Sequence, residues 1–501
     1  MRIGRVGREP DGRTHMTAAV PNPRWGRIAA AEGRLIWRDP AMWVTVVALA
    51  LALGAAWINA RAWTLGQQAR VDLLLKEQEH RLQRLQERID KERADLTAKG
   101  EPLTPVKFGS RHGTSVGHYE GQRWMVQPLL PTAPLALGEI DLQPIGHLAS
   151  VDRWQGQARA EPSSPLWQRL PRFDVFFVVA YLLPLAFFVT CAGVVAAERE
   201  AGTLGLRVAQ GGTAAALGFG RVTLRAGLLT AVTLLVIIGS AAAGGHLTLT
   251  SLPHLAIALT GCVAYAVFWS AIVLWVDSWR QSTGVNLLVC AGCWLLLLFL
   301  APGSIRIAAD WTRPVTSRAS FEQARRQAYQ DTWGTLTNVQ VLDAFYAARP
   351  DISPERDEPG GLERYGIYQM RLLEIMRETL VPLEATLDRR AAEYRRFIRD
   401  VRFASPLLLL HDVATTAAGT DAARLEDFLR QCKAFLDEWD AFYVTRIYTR
   451  EAIDDLAATP TFSFREPALA TKVRAALASL AGLLVPAAVL CALARRGYRR
   501  A

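Results

Sequence analysis

Residues 173–210 read FDVFFVVAYLLPLAFFVTCAGVVAAEREAGTLGLRVAQ. From Phe173 to Ala197 the run is apolar except for Asp174, and it then leaves through Glu198-Arg199-Glu200 into Gly202-Thr203-Leu204. A hydrocarbon core about 30 Å thick is crossed by ~20 apolar residues of helix, so the run reads as a transmembrane span. The charged exit marks where that span meets water. Gly202 lets the backbone turn, and Thr203 is placed to cap a short following helix through its hydroxyl.

Working outward, five further stretches are long and apolar enough: 42–60, 222–244, 255–276, 284–302 and 473–493, with 173–197 making six. The chain is 51% hydrophobic and 21% charged, a composition that alternates between lipid and water. Pro184 and Pro486 fall inside spans, where neighbouring helices can satisfy the carbonyl that proline frees. The first span reads as an uncleaved anchor. Its 41-residue leader and long apolar run exceed signal-peptide dimensions, although Ala60-Arg61-Ala62 has the look of a cleavage site.

Charge sets the orientation. Residues 1–41 hold eight Arg against Glu9, Asp11, Glu32 and Asp39, and the tail 494–501 adds Arg495, Arg496, Arg499 and Arg500. Loop 198–221 and the start of the next span add Arg199, Arg207, Arg221 and Arg225 against Glu198 and Glu200, whereas loop 245–254 has no Lys or Arg. By the positive-inside rule the termini and the 198–221 loop are cytoplasmic, and segments 61–172 and 303–472 are exported. The basic excess, net +10 with pI about 9.5, therefore flanks spans and does not argue for nucleic acid. Asp174, Arg225, Asp277 and Arg474 sit near span ends, where snorkelling would explain them.

The expected fold is an all-α membrane protein of six transmembrane helices, with a mainly helical extracytoplasmic domain built from the two insertions. In the first insertion, Val71, Leu75, Gln78, Leu82, Leu85, Ile89, Glu92 and Leu96 alternate spacings of four and three, so 67–98 reads as a coiled-coil-like rod. Its expected partner is the helix carrying Met376, Leu380, Leu383, Leu387, Ala391, Tyr394 and Val401, which Pro382 kinks or starts. Residues 99–172 turn to Pro, Gly and short apolar groups, a loop or short strands laid over the helices. Asp421 caps a further helix whose apolar positions run from Leu425 to Phe442.

Catalytic patterns are missing. There is no G-x-x-x-x-G-K-[ST], H-E-x-x-H or G-x-S-x-G, so the chain is expected neither to hydrolyse ATP by itself nor to act as an enzyme. His112, His118 and Glu120 cluster in an exported loop but read as solvated residues, and no metal is expected. Five of the six cysteines fall within spans, only Cys432 lying in a long exported segment. A disulfide framework is thereby excluded from the exported domains, and Cys290 and Cys293 read as close-packing residues.

E-R-E-x-G-T-L after a span, then Gly220-Arg221 opening the next, resembles the permease subunits of ABC-2 type ABC transporters. The stretch AAAEGRLIWRDPAMW adds Glu32, Arg38 and Asp39, which match the E-x-x-x-x-x-R-D pattern of that family's amphipathic elbow helix. Residues 403–439 are similar to the last exported domain of a branch with two large extracytoplasmic insertions, through Ser405-Pro406, Gly419-Thr420, Arg424 and Phe428. That branch is distantly similar to the permeases of gliding-motility and copper-maturation systems.

The resemblance implies a type V exporter-like membrane subunit in a bacterial inner membrane. It implies coupling to a separate ATPase subunit, which binds the ATP, through Glu198, Arg199, Glu200, Gly202, Thr203 and Leu204, with the elbow at Glu32, Arg38 and Asp39. The implied partners are that ATPase, a second copy or paralogous permease, membrane lipid and room for a periplasmic protein. Here the chain departs from the family's Leu-rich continuation, with Gly205, Arg207 and Gln210-Gly211-Gly212. The competing expectation is a non-transporting membrane scaffold or sensor with an envelope-facing helical domain. A secondary transporter would want paired ionisable groups at the midplane, which the sequence does not offer.

Overall fold

The computed structural model describes residues 25–138, 146–152, 173–209, 213–314, 318–335, 338–348 and 362–499. Residues 1–24, Gln210, Gly211, Gly212 and most of 139–172, all used in the sequence reading, lie outside it.

A short helix α1 (Trp25–Arg38) ends at Asp39, which also begins α2 (Pro40–Lys99). The Asp39 carboxylate accepts from the amides of Ala41 and Met42, Pro40 supplies the preset φ at the first helical position, and Gly100, with φ 67°, closes the other end. At 1.5 Å per residue α2 is about 90 Å long. It is at once the first span and the predicted rod.

Span two is built from α3 (Val175–Phe177), a π turn at Val178–Leu182, α4 (Leu183–Cys191) and α5 (Ala196–Glu200). Pro184 cannot donate to Ala180, and that carbonyl instead accepts the Tyr265 hydroxyl at 2.7 Å. A neighbouring helix thus satisfies the freed group as lipid requires. The loop helix α6 (Leu204–Ala209) leads to α7 (Ala214–Ala243), α8 (Leu252–Asp277) and α9 (Thr283–Leu295). After a π turn at Leu296–Leu300, α10 (Ala301–Thr312) extends span five outward. The last span is α16 (Leu469–Arg499), so six helical stretches are long and apolar enough to cross a membrane.

The remaining helices are α11 (Arg318–Thr335), α12 (Asn338–Ala348), α13 (Leu362–Val401), α14 (Pro406–Ala418) and α15 (Ala422–Thr449). With them goes an antiparallel pair, β1 (Arg123–Val126) and β2 (Gly146–Ala149), in register Arg123 to Ala149. Leu85 and Ile89 of α2, Met125 of β1, Met376 and Leu380 of α13, and Trp439 and Tyr443 of α15 share one core. Both insertions therefore fold as a single domain at one end of the bundle. Asp421 caps α15 through the Arg424 amide, as the sequence indicates.

Four readings change. The rod packs against the 115–120 turn and β1, whereas α13 packs mainly on α10, α11 and α12. The two polar seam positions explain why: Gln78 accepts from the Trp124 amide and Glu92 from the Ser110 amide, fixing that loop to α2. Pro382 lies well inside α13 and does not start it. His112 and His118 are buried, not solvated: His112 Nδ1 accepts from the Thr114 amide, and His118 meets Ser150 and Gln369. Asp174, Asp277 and Arg225 do not snorkel; Asp174 caps α3 and binds the Leu137 amide, while the other two belong to the site below.

Helix α14, within the 303–472 segment, packs between α8 and α16 among the spans. Gly482 lies thirteen residues into α16, about 20 Å along its axis, and a Cβ there would come within 2.9 Å of Phe403 and Leu409. Ser405 donates to the Leu297 carbonyl at 2.9 Å, and Arg402 pairs with Asp412 at 3.0 Å. The chain thus descends from α13 into the bundle, turns through α14, and climbs back into α15.

Candidate functional site

At the bundle end opposite the domain, α1 lies against α7 and buries Ile36 and Glu32 while Trp37 faces outward. Glu32 is only 2% exposed. A carboxylate that dry requires partners, and α7 supplies two arginines one helical turn apart. Glu32 Oε2 lies 3.0 Å from Arg221 Nε, and Oε1 lies 2.7 Å from Arg225 Nε.

Both guanidiniums reach further. Arg225 donates to the Thr190 carbonyl and stands 3.6 Å from Asp39; Arg221 donates to the Val194 carbonyl and to Glu198 Oε1 at 2.8 Å. Span two leaves its α-helical path between Ala192 and Val195. The arginines therefore bind the backbone just before that break, at Thr190, and within it, at Val194.

The E-R-E triplet divides its work. Glu198 holds Arg221 with one oxygen and Arg207 Nε, at 2.8 Å, with the other, which also accepts the Thr203 hydroxyl. Thr203 consequently ties back to Glu198, where the sequence suggested a cap for α6. Glu200 accepts from the amide and hydroxyl of Thr283, at 2.8 and 3.1 Å, and so caps the first turn of span five. Arg199 is half-buried, and its Nη1 is enclosed without a hydrogen-bond partner. Gly202 has φ 70°, the left-handed conformation the turn needs.

Beneath the loop, Asp277 is fully buried and accepts from the Ala196 amide, Asn286 and the Tyr498 hydroxyl, the last at 2.8 Å. Elements from spans two, four, five and six thus meet at one carboxylate. Arg38 is exposed at the end of α1, and Leu204 packs against the bundle. The outward face of the loop is left to Leu206 and Val208, 64% and 44% exposed, with Trp279 of the neighbouring loop also exposed.

The structure thus brings Glu32, Asp39, Glu198 and Thr203 into one connected network, and sets Glu200 on a second contact. Arg225, Asp277, Thr283 and Tyr498 complete the arrangement and were not singled out as site residues. The signal available was two arginines four apart at the head of an apolar helix, which demand buried acids. Among the described residues no group of three or more His, Cys, Asp or Glu could hold a metal ion.

A second junction lies where the domain meets the bundle. Arg424, buried, grips Glu466 with Nε and Nη2 at 2.8 and 3.0 Å and donates to the carbonyls of Gly419 and Pro128. Glu466 also takes Lys472 at 2.8 Å, whose ammonium lies 3.3 Å from His254 at the head of span four. Thr420 donates to the Ala136 carbonyl.

Fold and junctions define the class: a multi-pass helical membrane protein with a domain built from two insertions. Residues 318–465 match a domain of unknown function (DUF3526). That stretch includes Gly419, Thr420, Arg424 and Phe428, which sit at or next to the junction just described, and Ser405, at the other end of α14 against Leu297. No curated protein and no solved structure matches the chain.

Proposed function

We propose that the chain is the permease subunit of an ABC-2 type transporter, driven by a separate ATPase subunit that docks on α6. The observation that carries this is the division of labour in the 198–209 loop. Glu198 and Glu200 are spent on Arg221 and Thr283, so what α6 leaves for a partner is its exposed apolar side chains, Leu206 and Val208. A short helix that presents apolar groups to water and is anchored by ion pairs suits a docking element better than an interfacial loop.

Movement of α6 would be passed to α7 and α1 through Glu198, Arg221 and Glu32, and to α9 through Glu200 and Thr283. Span five continues into α10, on which α13 of the domain rests, and the Arg424–Glu466–Lys472 chain ties the domain to span six. ATP bound by the partner would drive the bundle, and the domain would follow. In this reading the membrane is the bacterial inner membrane, α6 faces the cytoplasm, and the permease works as a pair with a second copy or a paralogue.

Co-expression with candidate ABC ATPase subunits from the same genome tests the reading. Leu206→Asp with Val208→Asp should reduce co-purification by about tenfold, a loss of ~1.4 kcal/mol, while the permease alone stays monodisperse. Undiminished association and ATPase stimulation in that variant, and again with Glu198→Ala and Glu200→Ala added, would rule out this loop as the docking element, and failure of the unmodified chain to associate with any ATPase would favour a non-transporting scaffold.

A further inference from the structure

A cleft of about 1180 Å³ opens between α13, α15 and the first turns of α16. It exceeds the ~300–1,000 Å³ of ordinary small-molecule pockets. Its size comes from small side chains on three facing helices, Ala391 and Ala392 on α13, Ala423 on α15 and Thr471 and Ala475 on α16, with Ala468 just before α16. Leu387 and Leu429 add apolar wall between the charged side chains.

We propose that this cleft binds one zwitterionic phospholipid drawn from the leaflet on the domain's side. The inference needs only that α16 crosses the bilayer and is independent of the ATPase reading. Two observations converge on it. The first is position. Thr471 and Ala475 lie on the exposed surface of α16, and the same side of the helix continues through exposed Ala478 and Val485. The lower mouth of the cleft is therefore continuous with the lipid-facing side of a span, and an acyl chain can enter along that surface without crossing water.

The second is charge. Five acids and five bases line the cleft, and two groups of them pair across it. Lys433 of α15 reaches Glu384, at 2.9 Å, and Asp388 of α13; Arg395 of α13 pairs with Glu426 of α15. Burial alone would lower the Lys433 ammonium, but the hydrogen bonds it donates to Asp388 and Glu384 outweigh it and hold the pKa above the usual lysine value. A lone anion or cation would strip one member of a pair and strand the other. A headgroup that carries both a phosphate and an ammonium exchanges for a pair with no charge left over: phosphate on Lys433 and the exposed Arg430, ammonium on Glu384 and Asp388.

The experiment uses the full-length protein purified in detergent, with bound lipid measured by extraction and native mass spectrometry. Thermal stability is followed while phosphatidylethanolamine, phosphatidylglycerol or chain-free phosphoethanolamine is added. The expected result is about one phosphatidylethanolamine retained per chain and a rise in melting temperature with that lipid only. Ala475→Trp, at an exposed position of α16, should block the mouth and cut retention by about tenfold. Ala391→Trp should do the same from the opposite wall, and Leu484→Trp, on the lipid-exposed side away from the cleft, should not. An equal response to phosphatidylglycerol would overturn the zwitterion argument, and an equal response to phosphoethanolamine the acyl-chain argument. Unchanged retention in folded Ala475→Trp and Ala391→Trp, or none in the unmodified protein, would overturn the site.

Discussion

Glu32 and Arg221, 189 positions apart in the chain, meet at 3.0 Å in a pocket that leaves Glu32 2% exposed. With Arg225 on the other oxygen, one carboxylate joins the α1 elbow to the head of α7. Replacing it by Glu32→Gln leaves two largely buried guanidiniums sharing the remaining acids. Breaking a buried pair costs about 3–5 kcal/mol, so the melting temperature of the detergent-solubilised protein should fall sharply. In a double-mutant cycle with Arg225→Gln the two losses should be strongly non-additive. Additive losses would mean that the pair is a bystander.

Glu200 gives the contrasting case. Its carboxylate is exposed and caps span five only through Thr283. Glu200→Gln should cost about 1 kcal/mol or less, in the range of a single helix cap, and Thr283→Val should cost a similar amount. Glu198→Gln, which disturbs Arg221 and Arg207 together, should cost clearly more. If the two glutamates proved equivalent in melting experiments, the division of labour within the triplet would be wrong.

What could be read in advance follows from how local each signal is. The spans are legible because lipid imposes a length and polarity rule on consecutive residues, and α15 because its apolar spacing and Asp421 lie in one window. The partners of Glu198 and Glu200 are 23 and 83 positions away, and no spacing rule reaches them. Helix α14 escaped for a different reason. Its thirteen residues are too few to span ~30 Å, so PLLLLHDVATTAA reads as part of the domain although it packs among the spans. His112 and His118 escaped because a Pro- and Gly-rich stretch signals a loop but not whether something covers it.

Those histidines give the domain a pH dependence. Burial first, and nearby Arg450 second, push His112 down from 6.5 to about 4, and burial lowers His118 as well, with Asp152 opposing. The unfolded chain then binds the proton more readily than the folded one. Stability is fully present above pH 6.5 and is lost as pH falls toward 4, by up to roughly 3 kcal/mol for His112 alone. Melting temperatures recorded from pH 7.5 down to 4.5 should fall, and His112→Gln should flatten that slope relative to the unmodified protein. An equally steep slope in His112→Gln would assign the effect elsewhere.

Arg424 carries the sharpest chemical distinction. Its fork meets both oxygens of Glu466 while the remaining donors hold the Gly419 and Pro128 carbonyls, and the guanidinium lies 5.2 Å from the Phe464 ring. One side chain therefore fastens the first insertion, the turn into α15 and the lead into span six. A lysine brings charge but neither the planar fork nor the reach to three acceptors. Arg424→Lys should accordingly fail almost as badly as Arg424→Ala, with losses of about 3–5 kcal/mol for removing one partner of a buried pair. Hydrogen exchange locates the damage: protection should drop in 128–137, 419–424 and 464–472 while α7 and α8 stay unchanged. A lysine variant with native protection in all three segments would show that charge alone suffices and that the fork is dispensable.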